Sequence, residues 1–295
     1  MKFGVIILLV ILCPALKAQE LFVSTEPASN MSKGSVGLRL GSSLYQMEHD
    51  QKFESLRIAP EIMFGVNKNM MFHISAYASN MFQTKFRVEG ASLYGKYRFY
   101  SNDDVHEHFR MAAYTRLAIV KNPQVLETHH QHLLPDGNGG FVAHDELIFS
   151  ESNDIDLDGN SSGIAAGLVF TKLKNRVALS GSAGYTKRIN NIDFDSKPYQ
   201  PKAEINFTAS GGYLLFPREY TSYKQVNCNI YLEILGGAFT SKSLYFIDVA
   251  PAVQFLFNSI FRVDLSYRSQ LAGKISRLSN KSFFLRLEYN LLNLF

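Results

Sequence analysis

Residues 262–271 read RVDLSYRSQL, and polar and apolar side chains alternate along this stretch. The polar positions are Arg262, Asp264, Ser266, Arg268 and Gln270. The apolar positions between and after them are Val263, Leu265, Tyr267 and Leu271. Successive side chains of a β-strand point to opposite faces of the sheet, so this alternation predicts a strand with one polar and one apolar face.

The same period of two recurs along the chain and predicts an all-β protein of about twelve strands. The predicted strands cover residues 35–45, 55–66, 70–78, 86–100, 109–120, 163–173, 177–189, 203–214, 226–237, 244–257, 262–271 and 282–292. In the fourth of these, Glu89 and Lys96 fall on opposite faces unless an extra residue is inserted, so the pattern also predicts a β-bulge near Gly90.

The links between these strands alternate between short and long. Short links at 67–69, 101–108, 174–176, 216–225 and 258–260 contrast above all with the long link at 121–162. This is typical of an up-and-down antiparallel transmembrane β-barrel with short periplasmic turns and longer extracellular loops. A soluble β-sandwich or barrel would share the period of two, but Tyr and Phe gather near the predicted strand ends, which favours the membrane barrel.

The first residues are typical of an export signal. Residues 1–18 contain Lys2, an apolar stretch and a small residue at Ala18, which predicts a secretory signal peptide cleaved there; a lipoprotein signal ending at Cys13 is the alternative. Residues 19–34 then form a predicted periplasmic segment and residues 35–295 the barrel. Cys228 would be the only cysteine left, so no intramolecular disulfide is expected. The net charge of +4 is small and scattered, which argues against nucleic acid as a partner.

The C-terminal stretch 281–295, KSFFLRLEYNLLNLF, alternates in the same way and ends on Phe295. It resembles the C-terminal signature of bacterial outer-membrane β-barrel proteins, which the barrel-assembly machinery recognises. The resemblance implies that the outer-membrane bilayer and this machinery are partners, and that Phe295 is part of the assembly signal. An ordinary buried last strand is the alternative.

A second resemblance covers most of the mature chain. The stretches EGASLYGKYRFYSNDDVHEHFRMAAY, ALSGSAGY and APAVQFLFNSIFRVDLSYRSQL resemble an uncharacterised group of outer-membrane barrels of Bacteroidota, akin to the phenol-degradation (MetA-pathway) outer-membrane transporters. This resemblance implies passage of small molecules and carries no catalytic residues.

The phase of the strands places many charged residues in the lumen, with an excess of basic ones. Those predicted to pair or to control selectivity are Arg116, Glu233, Arg262, Asp264, Arg268, Arg286 and Glu288. Two consequences are open: the charges pair across a narrow interior and close it, or they line a wet passage that favours anions.

The long link at 121–162 contains two groups of metal-binding residue types. His129, His130, His132 and His144 could bind Zn²⁺, although a solvated loop explains them as well. Asp154, Asp156 and Asp158 match the opening of a Ca²⁺-binding EF-hand loop, but Ala165 stands where the bidentate Glu is required, and turn chemistry explains these residues equally. No other cofactor is expected.

The sequence therefore predicts an outer-membrane channel or transporter for a small anionic or aromatic solute. The alternative is a structural or surface-binding barrel whose long His- and Asp-rich loop binds a metal or a partner. A lipid-active enzyme is the least favoured interpretation, because the predicted lipid-facing Ser and Thr residues have no His beside them and a serine hydrolase needs such a base.

Overall fold

The structure is a computed structural model. It describes residues 22–47, 53–82, 85–104, 107–123, 125–135, 141–151, 156–196, 200–219, 222, 224–241, 243–275 and 277–294. Within these residues no helix is long and apolar enough to cross a membrane.

The described chain is organised as fourteen strands. They are β1 Ser35–Met47, β2 Phe53–Gly65, β3 Met70–Ser79, β4 Arg87–Asp103, β5 Glu107–Val120, β6 Val125–Pro135, β7 Phe141–Glu151, β8 Gly163–Lys174, β9 Val177–Arg188, β10 Ala203–Phe216, β11 Asn227–Phe239, β12 Tyr245–Phe257, β13 Phe261–Gly273 and β14 Ser279–Leu291. All strands except β6 and β7 form one closed barrel in which chain neighbours pair antiparallel, β5 pairs with β8, and β14 pairs with β1. The predicted twelve-stranded up-and-down transmembrane barrel is confirmed.

The two faces of the barrel wall follow the alternation in the sequence. On β14, Phe283, Leu285 and Tyr289 are 49%, 39% and 42% exposed on the outside, whereas Arg286 and Glu288 between them are buried on the inside. Apolar side chains outside and polar ones inside suit a wall with lipid on one side and a polar lumen on the other. The end of the barrel that carries the short links and both ends of the barrel sequence is called the turn end here, and the opposite end the loop end.

The predicted bulge in β4 is also confirmed. Tyr77 pairs with Gly90 and Ala78 pairs with Val88, so Glu89 is the extra residue. The insertion brings both Glu89 and Lys96 to the buried, inner side of the wall. One added residue thus keeps every charge of β4 out of lipid.

The link at 121–162 was predicted to be a loop, but part of it is a β-hairpin. β6 and β7 pair with each other as a separate two-stranded sheet, with Val125 opposite Glu151 and Pro135 opposite Phe141. Backbone pairing between two strands outside the barrel does not require the strict alternation that a membrane-spanning wall imposes, so the period of two could not reveal this hairpin.

The segment before β1 differs from the sequence prediction as well. Residues 19–34 were expected in the periplasm, but the described part, residues 22–34, lies inside the lumen, where Phe22, Val23 and Ala28 are buried. Gly34, with a φ of 71°, turns the chain from the lumen into β1, a conformation that glycine adopts without strain. Residues 22–34 are called the N-terminal segment from here on.

Candidate functional site

The lumen contains a continuous row of paired charges on four neighbouring strands. Its members, called the seam ladder because they span the β1–β14 closure, are Glu61 on β2, Arg39 on β1, Glu288 and Arg286 on β14, and Arg262 and Asp264 on β13. Along the order Glu61, Arg39, Glu288, Arg262, Asp264, Arg286, the nitrogen–oxygen distances are 2.7, 2.8, 2.5, 3.2 and 2.6 Å. Buried charges are tolerated only when they are paired, and every member of the row has a partner of opposite sign.

Glu233 on β11 is the point at which the N-terminal segment is most tightly held. Its carboxylate is fully buried and accepts hydrogen bonds from the main-chain N–H groups of Val23, Ser24 and Thr25, at 3.0, 2.7 and 2.8 Å. Successive N–H groups that converge in this way form an anion-binding concavity. The main chain of the N-terminal segment therefore supplies the hydrogen bonds that this buried carboxylate would otherwise form with water.

Other lumen side chains also contact the main chain of this segment. Arg286 donates to the carbonyl oxygen of Phe22 at 2.8 Å, and Thr171 accepts the N–H of Ala28 at 2.9 Å. Lys96 donates to the carbonyl oxygens of Pro27 and Ser29 at 2.5 and 2.7 Å. Most of the polar contacts of the segment thus use backbone groups, which any extended peptide carries.

Glu26 adds a charged contact between the N-terminal segment and the wall. Its carboxylate lies 3.5 Å from Arg39 and 3.6 Å from Lys96. Glu26 precedes the membrane-spanning strands; burial alone would raise the pKa of its carboxyl, but Lys96 and Arg39 outweigh this effect and lower the pKa to about 2. Glu26 is therefore ionised at neutral pH and attaches the segment electrostatically.

A second segment enters the lumen from the loop end. Residues 156–162, called the inner loop, follow the β6–β7 hairpin and pack Leu157 against Ala118 and Ala165. Arg57 donates to the side-chain oxygen of Asn160 at 2.6 Å, and Asn122 donates to the carbonyl oxygen of Gly159 at 2.6 Å. The long link therefore contributes to closing the lumen.

The two described aspartates of the EF-hand-like stretch use their oxygens within the protein. Asp156 accepts hydrogen bonds from the N–H of Asp158 and, at 3.0 Å, from the side chain of Asn160. Asp158 pairs with Arg116 and accepts the hydroxyl of Tyr77 at 3.1 Å. Within the described part of the chain, no three His, Cys, Asp or Glu side chains are arranged to hold a metal. Asp154 lies outside the described residues, so Ca²⁺ binding stays a prediction.

A chamber of about 440 Å³ lies between the N-terminal segment and the inner loop. At roughly 30 Å³ per water molecule, it has room for about fifteen waters or one small organic molecule. Its aromatic lining consists of Tyr45, Tyr77, Tyr94, Tyr114, Phe207, Phe246 and Phe284, and its basic lining of Arg39, Arg57, Arg116, Arg268 and Arg286. The chamber combines flat apolar surfaces with guanidinium groups.

The aromatic wall of the chamber is built on glycines. The rings of Tyr94 and Tyr114 are stacked with centroids 5.9 Å apart, and the guanidinium of Arg116 lies 5.4 Å from the Tyr94 centroid. A Cβ at Gly167 or Gly184 would overlap Tyr114, so these two glycines allow the Tyr114 side chain to lie against the wall and leave the chamber open.

Arg268 lies at the loop-end side of the chamber. It pairs with Asp248 at 2.6 Å, and Arg277 pairs with the same carboxylate at 2.9 Å. Both guanidiniums also face the ring of Phe246, at 6.0 and 4.1 Å from its centroid. The two guanidiniums share one carboxylate, and the Arg268 side chain is 32% exposed, so two cationic groups lie close together at this corner.

The structure thus places the seven sequence-predicted lumen residues in three groups. Arg262, Asp264, Arg286 and Glu288 belong to the seam ladder, Arg116 and Arg268 line the chamber, and Glu233 holds the N-terminal segment. Their effect on selectivity stays a prediction. Phe295 and the side chains of the loop histidines lie outside the described residues.

Glu26 and Arg277 were not predicted as lumen residues, because neither lies in a predicted strand. The one signal in the sequence for burial of the N-terminal segment is the apolar pair Phe22 and Val23, because a solvated periplasmic segment does not need such a pair.

Comparisons with solved structures bear on the fold. The COG4313 outer membrane channel from Pseudomonas putida F1 matches with a TM-score of 0.51 and 10% sequence identity, over 92% of this chain and 100% of that chain. The chain has the fold of outer-membrane β-barrel proteins. The KdgM porin is also similar, with a TM-score of 0.47 and 8% identity over 86% of this chain and 98% of that chain. At such sequence identities the likeness shows the fold alone. Of these two structures, the COG4313 channel has a TM-score above 0.5 and the KdgM porin does not.

Neither a protein-family model nor a curated protein matches the sequence. The resemblance to the Bacteroidota group and to the phenol-degradation proteins stays a prediction.

Proposed function

We propose that this protein is an outer-membrane channel or transporter for a small anionic or aromatic solute, and that its N-terminal segment is the gate. The chamber between the N-terminal segment and the inner loop carries this proposal. It has the volume of a small solute, and the N-terminal segment separates it from the turn end of the barrel. Passage through the lumen therefore requires this segment to move.

The contacts of the N-terminal segment make such a movement feasible. Removing one partner of a buried charge is strongly unfavourable when the charge stays buried. If the segment leaves, however, water enters the vacated lumen and hydrates Glu233 and Lys96, which the segment otherwise satisfies. Both the closed and the open lumen thus keep their charges solvated or paired.

The lining of the chamber supports the proposed class of solute. Tyr94 and Tyr114 offer ring faces for stacking, and Arg268 and Arg277 place two guanidiniums beside Phe246. Most other lumen arginines already have a carboxylate partner, so the lumen does not attract anions equally along its length. A solute with both an aromatic ring and an anionic group, such as an aromatic carboxylate, can use both features of the chamber.

A reversible cross-link tests the gate. The hydroxyls of Thr25 and Ser210 are 2.8 Å apart, so Thr25→Cys with Ser210→Cys, in a Cys228→Ala background, places two thiols within reach of a disulfide. In planar bilayers we expect the oxidised protein to stay closed and reduction to restore opening. Thr25→Cys alone is the matched control. Equal conductance before and after reduction of a verified cross-link would contradict the gate, and no conductance or solute uptake by any form would contradict the channel.

Uptake into liposomes tests the class of solute. We expect benzoate to enter faster than benzyl alcohol or benzylamine, and Arg268→Gln to remove most of this preference because it removes the more exposed of the two guanidiniums beside Asp248. Arg98→Gln, a change outside the chamber lining, is the control. Identical uptake of all three compounds by the parent protein would contradict the proposed preference for aromatic anions.

The proposal places the protein in the outer membrane after cleavage of residues 1–18, with Phe295 as part of the signal for the assembly machinery. We expect deletion of Phe295 to reduce the fraction of folded barrel in outer-membrane preparations. Folded and boiled samples should migrate differently on SDS gels, which measures that fraction. Unchanged assembly without Phe295 would show that the terminal residue is dispensable.

A further inference from the structure

The β6–β7 hairpin brings four residues of metal-binding types to one face. Its register sets His132 opposite His144 and His130 opposite Glu146. Directly opposite residues of an antiparallel pair lie on the same face, and residues two apart along a strand share that face as well. His130, His132, His144 and Glu146 therefore occupy two adjacent rungs of one face.

The spacing of these positions is the spacing that a single metal ion requires. Opposite Cβ atoms in such a pair are roughly 4.5–5.5 Å apart. Positions two apart along a strand are separated by about 6.6 Å, twice the rise of about 3.3 Å per residue. Four positions at the corners of such a quadrilateral are separated by distances that the ligands of one four-coordinate ion can span.

The residue types favour a transition metal over calcium. Imidazole nitrogen suits Zn²⁺, Cu²⁺ and Ni²⁺, and three nitrogen ligands with one carboxylate oxygen make a four-coordinate site that Zn²⁺ accepts. Ca²⁺ prefers six to eight oxygen ligands, which these two rungs do not supply. The face thus matches a borderline divalent ion.

The isolation of the hairpin gives a metal ion a structural role. β6 and β7 form a sheet of their own, separate from the barrel. A two-stranded hairpin alone is at best marginally stable in water. An ion bound by residues from both strands would link them, and the free energy of binding would stabilise the paired form.

We propose that this face of the hairpin binds one Zn²⁺ ion through His130, His132, His144 and Glu146. The register also separates these residues from His129, which is opposite Leu147 and lies on the other face. His129 was one of the four histidines that the sequence analysis grouped together. The proposal is independent of solute passage through the barrel.

Calorimetric titration of the full chain in detergent with ZnCl₂ tests the proposal. We expect one Zn²⁺ per chain at pH 7.5, and no competition by CaCl₂ for that site under the same conditions. Loss of an outer-shell hydrogen-bond partner already weakens metal binding by roughly tenfold. We therefore expect His132→Ala and His144→Ala each to weaken binding by at least that factor. His129→Ala is the matched control on the opposite face and should change the affinity by less than about twofold.

The pH of the titration provides a second readout. A metal-bound imidazole must be neutral, and its ordinary pKa is about 6.5, so the affinity should fall as the pH is lowered from 7.5 to 5.5. Different migration of boiled and unboiled samples on SDS gels would show that each variant keeps its barrel. Absence of Zn²⁺ binding, binding unaffected by His132→Ala and His144→Ala, or an equal loss in His129→Ala would each overturn the proposal.

Discussion

The two segments that enter the lumen are attached to the barrel in different ways. The inner loop lies between β7 and β8 in the chain. Among the described residues, only β1 adjoins the N-terminal segment, and the proposed cleavage after residue 18 would leave the segment anchored by that strand. The inner loop is held mainly through side chains such as Asn160 and Asp158, whereas the N-terminal segment is held mainly through its main chain.

This difference indicates which of the two segments can move. A chain fixed at both ends cannot leave the lumen without rearranging its neighbours, whereas a chain fixed at one end can swing out around that end. Backbone hydrogen bonds can also be replaced by water without a specific partner elsewhere. We therefore expect the N-terminal segment to control opening and the inner loop to shape the chamber.

Deletion of residues 22–29 should have the largest effect. It removes the ligands of Glu233 and Lys96 and opens the turn end, so we expect a steady open conductance in planar bilayers where the parent protein is mostly closed. Deletion of residues 125–151 removes the hairpin but keeps the inner loop, and should leave the conductance close to that of the parent. The reverse result would assign the gate to the long link instead.

Glu233→Gln should have the next largest effect. Charge-assisted hydrogen bonds are about twice as strong as neutral ones, so loss of the charge should weaken docking of the N-terminal segment by about 1–3 kcal/mol. This corresponds to a roughly 5- to 160-fold rise in the ratio of open to closed time in single-channel records.

Glu89→Gln is the matched control for this change. Glu89 is also a buried lumen carboxylate, but it bonds Arg57 and Ser79 on the wall. An equal rise in opening for both variants would show that the effect of Glu233→Gln reflects a general weakening of the barrel.

Acidification should have a smaller effect that depends on Glu26. The pKa of this carboxyl is lowered from 4.5 to about 2 when the segment is docked, so docking favours the charged form. This stabilisation is complete above pH 4.5 and is lost as the pH falls towards 2. Opening should therefore increase over that window.

The groups that face Glu26 determine how this pH dependence is read. Lys96, Arg39 and His73 lower the pKa of Glu26, and Glu61 raises it. Other lumen carboxylates titrate as well, so the informative quantity is the difference between the parent and Glu26→Gln. Identical pH profiles for the two proteins would remove Glu26 from the gate.

Asn160→Ala should have the smallest effect. It removes the hydrogen bond from Arg57 to the inner loop, but the strands on either side still hold the loop in place. Asp158 and Ser162 still attach the loop to the wall, so we expect the mean conductance to change by less than about twofold. A large increase in opening would mean that the inner loop, too, can leave the lumen.

The sequence was sufficient to predict the barrel wall because the information there is local. The alternation around Arg262 and Asp264 and the bulge at Glu89 follow from the requirement that charges face the lumen and apolar residues face lipid. The same requirement placed Arg286 and Glu288 inside the barrel.

The contents of the lumen could not be predicted in this way. Val23 and Glu233 are 210 residues apart in the chain, and their contact depends on the shape of the closed barrel rather than on any local pattern. The register that sets His132 opposite His144 also requires a pairing between two strands that the alternation did not reveal. Local periodicity determines the wall, whereas long-range complementarity determines what occupies it.

The seam ladder has a consequence for how the barrel closes. Arg39 on the first strand is opposite Glu288 on the last strand, which is the junction completed when the two ends of the sheet meet. A closure displaced by two residues would set Arg39 opposite Arg286 or Asn290, and a displacement by one would turn charged residues towards lipid. Of these alignments, only the observed one sets Arg39 opposite an acidic residue and keeps the charges inside, so the ladder favours the correct register of the two ends.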